Sequence, residues 1–459
     1  MFNSNKKITL LRLVLLTVSG ILSLKSLPLF AEVGFSIISF LLFATICFFI
    51  PIAMAISELS STWPVSGGCY TWVKKSCGKS LAFIVIWSYW IQSIIWFPTM
   101  LIFIIAMLVH VFLPFFPDFK ISIFFSVFGI IVIFWILTFL NFLGVRVSVG
   151  FSIFGVIFGT ILPIILIILF GFFCLYFGYF NNIDFSFKSI IPDFNLNNLV
   201  FLSGILLGIS GIELIAFYVS DVENPAVNLS KSIMISSFLI LIFYALASLS
   251  VAIIMPKSEI CFASGVILAF KFFFDKVGLP FLTPFLALLL FLGSIACVNT
   301  WIIGPARGLL VAASDGFLPN FMTKVNSKGV PVNLLLVQAC VVSFLSVLFF
   351  LYINTINGLV WVFICLSFQF AAFLYVMIFI SVLRLRKIEP NIHRPFKMPF
   401  VKFFSCVGIC MCVFTFILSY VQPSDVNVTQ KSFYFFLLFF SFIILMLPSF
   451  IFLFFKNKN

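Results

Sequence analysis

Runs of eighteen or more apolar residues recur from one end of this chain to the other, and no other feature restricts its fold as strongly. A run of that length crosses the ~30 Å hydrocarbon core of a bilayer as an α-helix. A soluble domain cannot hide so much apolar surface. The chain has 459 residues, 63% of them hydrophobic and 8% charged, where soluble domains carry about 25% charged residues. The fold class that follows is an all-α integral membrane protein, one transmembrane domain over residues 1–459.

Twelve spans are read at 10–33, 35–62, 80–112, 121–142, 150–178, 198–220, 232–255, 281–312, 332–353, 357–384, 398–421 and 432–455. With the N-terminus inside, nineteen lysines and arginines fall on the cytoplasmic side, six fall outside, and Lys25 lies within the membrane. That bias puts both chain ends in the cytoplasm. It also explains the net charge of +13, which in a soluble chain would point to nucleic acid. Lys6, Lys7 and Arg12 before an apolar run resemble a secretory leader. The run is too long for one and Lys25 interrupts it, so it reads as an uncleaved first span. The loops are short apart from 256–280, where Val266 to Val277 reads as an amphipathic helix at the interface, and 313–331, a short helix and a turn.

Two spans are broken. The first contains VSGILSLKSLP, Val18 to Pro28, with Gly20 and Pro28 as brackets. Lys25 near its centre costs about 2.5–3.5 kcal/mol in hydrocarbon, which marks a functional site by default. The sixth runs FLSGILLGISGIELIAFYVSDVENP, Phe201 to Pro225. Interrupted helices in corresponding places of two halves point to a transporter site. The halves are 10–178 and 198–385, with 398–455 as two accessory helices. Substrate contacts are expected from Leu22, Ser23, Lys25 and Ser26 on one side and Gly208, Ser210 and Gly211 on the other. The freed carbonyls suit an α-ammonium, and a helix restarting after Glu213 offers its positive end to an α-carboxylate. The competing reading of the glycines is close helix packing.

Glu213, the acid inside the sixth span, is a candidate for gating or proton coupling, for pairing with a cationic cargo, or for a static ion pair. Lys25 could meet a substrate, favouring acidic ones, pair with Glu213 or Glu32, or replace a coupling cation. Trp90 and the stretch Gln92 to Trp96 could line the pathway in the third span, and Trp301 could gate it in the eighth. Plain packing competes with each aromatic, and helix–helix hydrogen bonding with Ser294, Asn299 and Thr300. Enzyme chemistry has no support. His110 and His393 lie far apart, no phosphate loop or nucleophile elbow appears, and the eleven cysteines follow neither disulfide nor metal spacing. No cofactor is called for.

Several stretches resemble the amino acid–polyamine–organocation permeases, and within them the bacterial glutamate/GABA-type antiporter branch. They are SLKSLPLFAEVG in the first span, Glu58 to Gly78, Gly208 to Ser232, Asn299 to Asn333, and RPFKMPF from Arg394 to Phe400. The resemblance implies a leucine-transporter-type fold, a 5+5 inverted repeat plus two helices, working by alternating access in the bacterial inner membrane. It makes Leu22 to Ser26 and Gly208 to Gly211 the unwound binding backbone. It links Glu213 to gating and proton-linked exchange, and makes Glu58, Gly67 and Gly68 a coupling loop. The chain departs from some relatives in having no charge between Phe281 and Ala306. The function expected is secondary transport of amino acids, by antiport or with protons. The alternatives are a polyamine or organic-cation exchanger, and a non-transporting amino acid sensor or channel. Expected partners are the amino acid, the lipid bilayer, protons and a second copy in a homodimer.

Overall fold

Backbone hydrogen bonding inside a membrane leaves the apolar runs one choice, and in the computed structural model they take it. The structure describes residues 7–65, 67–116, 123–179, 183, 185–191, 196–352, 355–423 and 431–458, and among these no strand forms beyond one isolated bridge. Helix 1 is split into 1a (Leu10–Ile21) and 1b (Ser26–Ala31). Helix 2 comprises Ile37–Ala44, a π turn at Thr45–Phe49 and Ile50–Thr62; helix 3 is Lys79–Phe112 and helix 4 is Ile123–Phe142. Helix 5 runs from Val145–Val156 through a π turn at Ile157–Ile161 into Leu162–Phe177. Helix 6 is split into 6a (Leu202–Ile209) and 6b (Ile212–Asp221); helix 7 is Pro225–Ile254 and helix 8 is Leu282–Ser314. Helix 9 (Val332–Tyr352), helix 10 (Ile356–Ile388), helix 11 (Val401–Leu418) and helix 12 (Lys431–Lys458) complete the chain.

Ten of these are long and apolar enough to span a membrane, and the shorter Leu10–Ile21 and Val332–Leu348 occupy the other two expected places. Helix 3 runs through the middle, packed along helix 8 on one side and helix 10 on another. Helix 12 is at the edge, with little of its surface covered. Gly265–Val277 forms the helix expected between helices 7 and 8. It does more than float at the interface. Val266, Ile267, Phe270, Phe273 and Phe274 are buried against the bundle, and Gly265 touches Pro28 so closely that a Cβ there would lie 2.8 Å from its ring.

The face that carries Ile8 and Lys456 is densely tied. Ile8 pairs with the chain beyond helix 6b, its amide donating to the Asp221 carbonyl (2.7 Å) and its carbonyl accepting from the Glu223 amide (3.0 Å). Arg307 of helix 8 binds Asp221 at 2.9 Å. The Glu58 carboxylate, at the end of helix 2, takes Arg386 at 2.5 Å, Arg394 at 3.2 Å and the Met398 amide at 2.8 Å. Glu58, expected in the coupling loop, lies instead within helix 2 and anchors it to the end of helix 10. Gly67 and Gly68 in that loop both adopt positive φ.

Candidate substrate site

The two breaks arise differently. Helix 1a stops when Leu22 turns extended (φ −73°, ψ 97°), and 1b restarts at Ser26 with Pro28 in its first turn, where a missing amide hydrogen costs nothing. Helix 6a stops at an extended Ser210 followed by Gly211 at φ +113°, a conformation that favours glycine. A Cβ on Gly211 would also lie 2.8 Å from the Trp301 ring. Helix 6b then restarts at Ile212, before Glu213 and not after it as expected, and as a 3₁₀ helix, so Glu213 sits in its first turn. The packing reading of the other glycines holds too. A Cβ on Gly204 would meet Leu29 at 2.3 Å, and one on Gly208 would meet Phe30 at 2.6 Å, so both let helix 6a press against helix 1b.

Between the breaks lies a cavity of about 30 Å³ lined by Gly20, Ile21, Ser23, Lys25, Ser26, Leu29, Gln92, Trp96, Gly204, Leu207, Gly208, Ser210, Phe262, Trp301, Val360 and Ile364. Such a space holds about two waters. An amino acid enters only if the walls part. Trp301 forms one wall, its indole N–H donating to the Gly20 carbonyl at 2.7 Å and its ring packed on Trp96 and Tyr89. Phe262, from the stretch after helix 7, is another wall, and its amide is held by Asn357 of helix 10 at 3.1 Å.

Lys25 is 6% exposed and points its ammonium at Thr99 Oγ1, 2.6 Å away. That hydroxyl has given its own hydrogen to the Trp96 carbonyl (2.7 Å), leaving its lone pairs to the lysine. Lys25 forms no ion pair among the described residues: Glu213 is elsewhere and Glu32 faces Lys257 at 4.0 Å. No acid is found among the described residues lining the cavity. The side-chain oxygen of Gln92, 2% exposed at the same cavity, has no hydrogen-bond partner among the described residues.

Glu213 is fully buried and does not line the cavity. Its carboxylate accepts from the Tyr375 hydroxyl at 3.1–3.2 Å, and that hydroxyl accepts from the Gly211 amide at 3.0 Å. Tyr89 and Cys69 also face the carboxylate. No cation pairs with it among the described residues.

The structure therefore places Ser23, Lys25, Ser26, Gly208, Ser210 and Trp301 at one cavity. Leu22 and Gly211 shape the breaks from behind it. Trp90 is away from it, donating to Gln338 of helix 9 at 2.9 Å and packed on Trp87. Asn299 bonds Asn141, Ser148 and Ser152 of helices 4 and 5, a helix–helix role. Sequence reasoning missed three residues. Thr99 gave no signal beyond its sequence distance from Gln92, and Tyr244 and Tyr375 are single polar groups in apolar runs. Tyr244 of helix 7 reaches both breaks. Its hydroxyl accepts from the Ser23 amide (2.9 Å) and lies within donating distance of the Ile21 (2.7 Å) and Gly208 (3.0 Å) carbonyls.

Residues 8–446 match the family model described as amino acid permease. An uncharacterized transporter of Legionella pneumophila is 35% identical over 433 residues, 93% of this chain and 92% of the relative. A glutamate/gamma-aminobutyrate antiporter of Lactococcus lactis is 28% identical over 459 residues, 98% of this chain and 90% of the relative. A probable agmatine/putrescine antiporter of the same species is 24% identical over 401 residues, 87% of this chain and 84% of the relative. These are transporters, not enzymes, and on a full-length match of this kind the chain belongs to the amino acid permease family within the amino acid–polyamine–organocation superfamily.

Proposed function

We propose that the chain is an amino acid antiporter of the bacterial inner membrane that carries acidic amino acids between the breaks of helices 1 and 6. The observation that carries this reading is the charge of the cavity. Lys25 is the one charged group among the described residues lining it, and there it is hydrogen-bonded to a hydroxyl, with the Cys297 sulfur also facing it. A buried cation without a counter-charge is costly, and a ligand with one net negative charge offsets that cost. A zwitterionic amino acid balances itself, so the second carboxylate is the group for Lys25. The carbonyls of Ile21 and Gly208 and the unpartnered oxygen of Gln92 suit the α-ammonium.

A polyamine would bring like charge to Lys25. The acid that could have welcomed it, Glu213, is outside the cavity. The relatives whose names include antiport of glutamate support exchange over one-way permeation. Glu213 is the proposed proton-coupling gate, held between helix 6b and Tyr375 of helix 10, with Tyr89 of helix 3 and Cys69 as its other ionisable neighbours. Residues 10–178 and 198–385 are the proposed inverted halves, each opening with a broken helix, and the charge bias supports an orientation with both chain ends inside.

Counterflow in proteoliposomes tests the reading. Labelled L-glutamate or L-aspartate is expected to accumulate only against preloaded amino acid. Equal uptake into empty vesicles without a proton gradient overturns antiport, and amino acid binding without any flux leaves a sensor.

A further inference from the structure

We infer that the Tyr244 hydroxyl is an internal stand-in for the substrate's ammonium group, tying the two breaks together between transport events and giving up a carbonyl when an amino acid arrives. The inference rests on the proposed site between the breaks. The hydroxyl reaches the last carbonyl of helix 1a, Ile21, at 2.7 Å and the Gly208 carbonyl of helix 6a at 3.0 Å, while accepting from the Ser23 amide at 2.9 Å. Carbonyls at a helix end have no partner in the next turn, so each needs a donor from elsewhere. A tyrosine has one hydrogen to give and cannot serve both carbonyls at once. A primary ammonium has three and can. Ile21 and Gly208 line the cavity and Tyr244 is fully buried against them, so tyrosine and ligand draw on the same two oxygens. The Phe30 ring, 5.0 Å from the Tyr244 ring between centroids, holds the phenol against the breaks.

Competition of this kind selects for the ammonium. A dicarboxylate without one leaves the tyrosine bond in place and gains nothing from the carbonyls, whereas an amino acid must first displace the tyrosine hydrogen. The test uses the full chain in lipid nanodiscs, with calorimetric binding of L-glutamate against glutarate and L-aspartate against succinate. In Tyr244→Phe the displacement cost is gone. The amino acids are expected to bind about two- to tenfold tighter, the worth of one hydrogen bond, while the dicarboxylates stay within about twofold of their wild-type affinity, a difference smaller than such a bond makes. Phe30→Leu, which loosens the ring but keeps the hydroxyl, is expected to shift the same ratio in the same direction by less. If both ligand classes weaken together in both variants, Tyr244 is only a brace and the inference fails. If the wild type binds the dicarboxylates as tightly as the amino acids, no ammonium subsite exists and it fails as well. Absence of binding by either amino acid to the wild type overturns the site reading and this inference with it.

Discussion

The breaks in helices 1 and 6 face each other across one small cavity, yet they are built and used differently. The helix 1 break spans Leu22 to Lys25 without a left-handed residue, while the helix 6 break is two residues, one of them Gly211 at φ +113°. Each carries one buried charge. Lys25 turns into the cavity, and Glu213 turns away toward helices 3 and 10. Each is braced by a tyrosine from elsewhere in the bundle, Tyr244 from helix 7 and Tyr375 from helix 10. The difference parts two groups that the sequence leaves mixed: a cation that lines the cavity, proposed above to meet cargo, and an acid behind it, proposed as the gate.

Lys25→Gln breaks that division most sharply. It keeps a hydrogen-bonding end for Thr99 and removes the charge. A hydrogen bond to a charged group is worth about 1.5–3 kcal/mol, so the apparent affinity for L-glutamate in counterflow is expected to fall about 10- to 150-fold. Affinity for L-glutamine is expected to hold or improve. Equal losses for both ligands would return Lys25 to a structural role.

Gly211→Ala attacks the other break through its backbone. The left-handed conformation opposes a side chain, and so does the Trp301 ring, 2.8 Å from where a Cβ would stand. Holding a non-glycine residue there costs about 1–3 kcal/mol. A lower melting temperature and loss of counterflow are expected together. Ser210→Ala, at an extended position, is expected to spare the melting temperature.

Glu213→Gln sharpens the comparison from the side of the acid. The carboxamide oxygen still accepts from Tyr375, so the fold is expected to persist. The exchange rate is expected to fall by up to about 100-fold, the low end of what a lost proton-transfer role costs. The diagnostic readout is the pH profile. The wild-type rate is expected to vary with pH while the variant's stays flat, and an unchanged slope would leave Glu213 as a static part of the restart of helix 6b.

Much of this layout is written in the residues. The twelve apolar runs are helical among the described residues because a bilayer leaves the backbone no alternative. Lys25 and Gly211 announce the two breaks because a charge and a left-handed turn are both out of place in a spanning helix. The partners are less legible. Whether Lys25 met Glu213, Glu32 or something else depended on side-chain direction, and the answer, Thr99, lies on a different helix 74 positions away. Tyr244 and Tyr375 were invisible for the same reason: a tyrosine hydroxyl gains its meaning only from the orphaned backbone groups the fold brings to it. Trp90 shows the converse, an aromatic at a suggestive spacing whose N–H is taken by Gln338.

The smallest effect is expected far from both breaks, on the face that carries Ile8 and Lys456. Asp315 closes helix 8 there, bound by Lys74 at 2.5 Å and by the Tyr70 hydroxyl. Lys456 of helix 12 reaches the Asp315 carbonyl at 2.5 Å with its ammonium 3.3 Å from the centre of the Phe317 ring. Burial acts to raise the Asp315 carboxyl, but the hydrogen bonds from Lys74 and Tyr70 outweigh it and hold the group below its ordinary range. A depressed carboxylate contributes stability above its ordinary pKa and loses it only as the pH falls through the lowered value. The clamp is therefore expected to be constant between about pH 5 and 8, above the ordinary aspartate value, so that any pH dependence of transport in that window belongs to another group. Asp315→Asn removes a partly exposed pair worth about 0–1 kcal/mol. It is expected to lower the melting temperature slightly and to leave the pH profile of exchange untouched. A profile that flattens in Asp315→Asn and not in Glu213→Gln would move the proton-sensitive gate from helix 6 to this face.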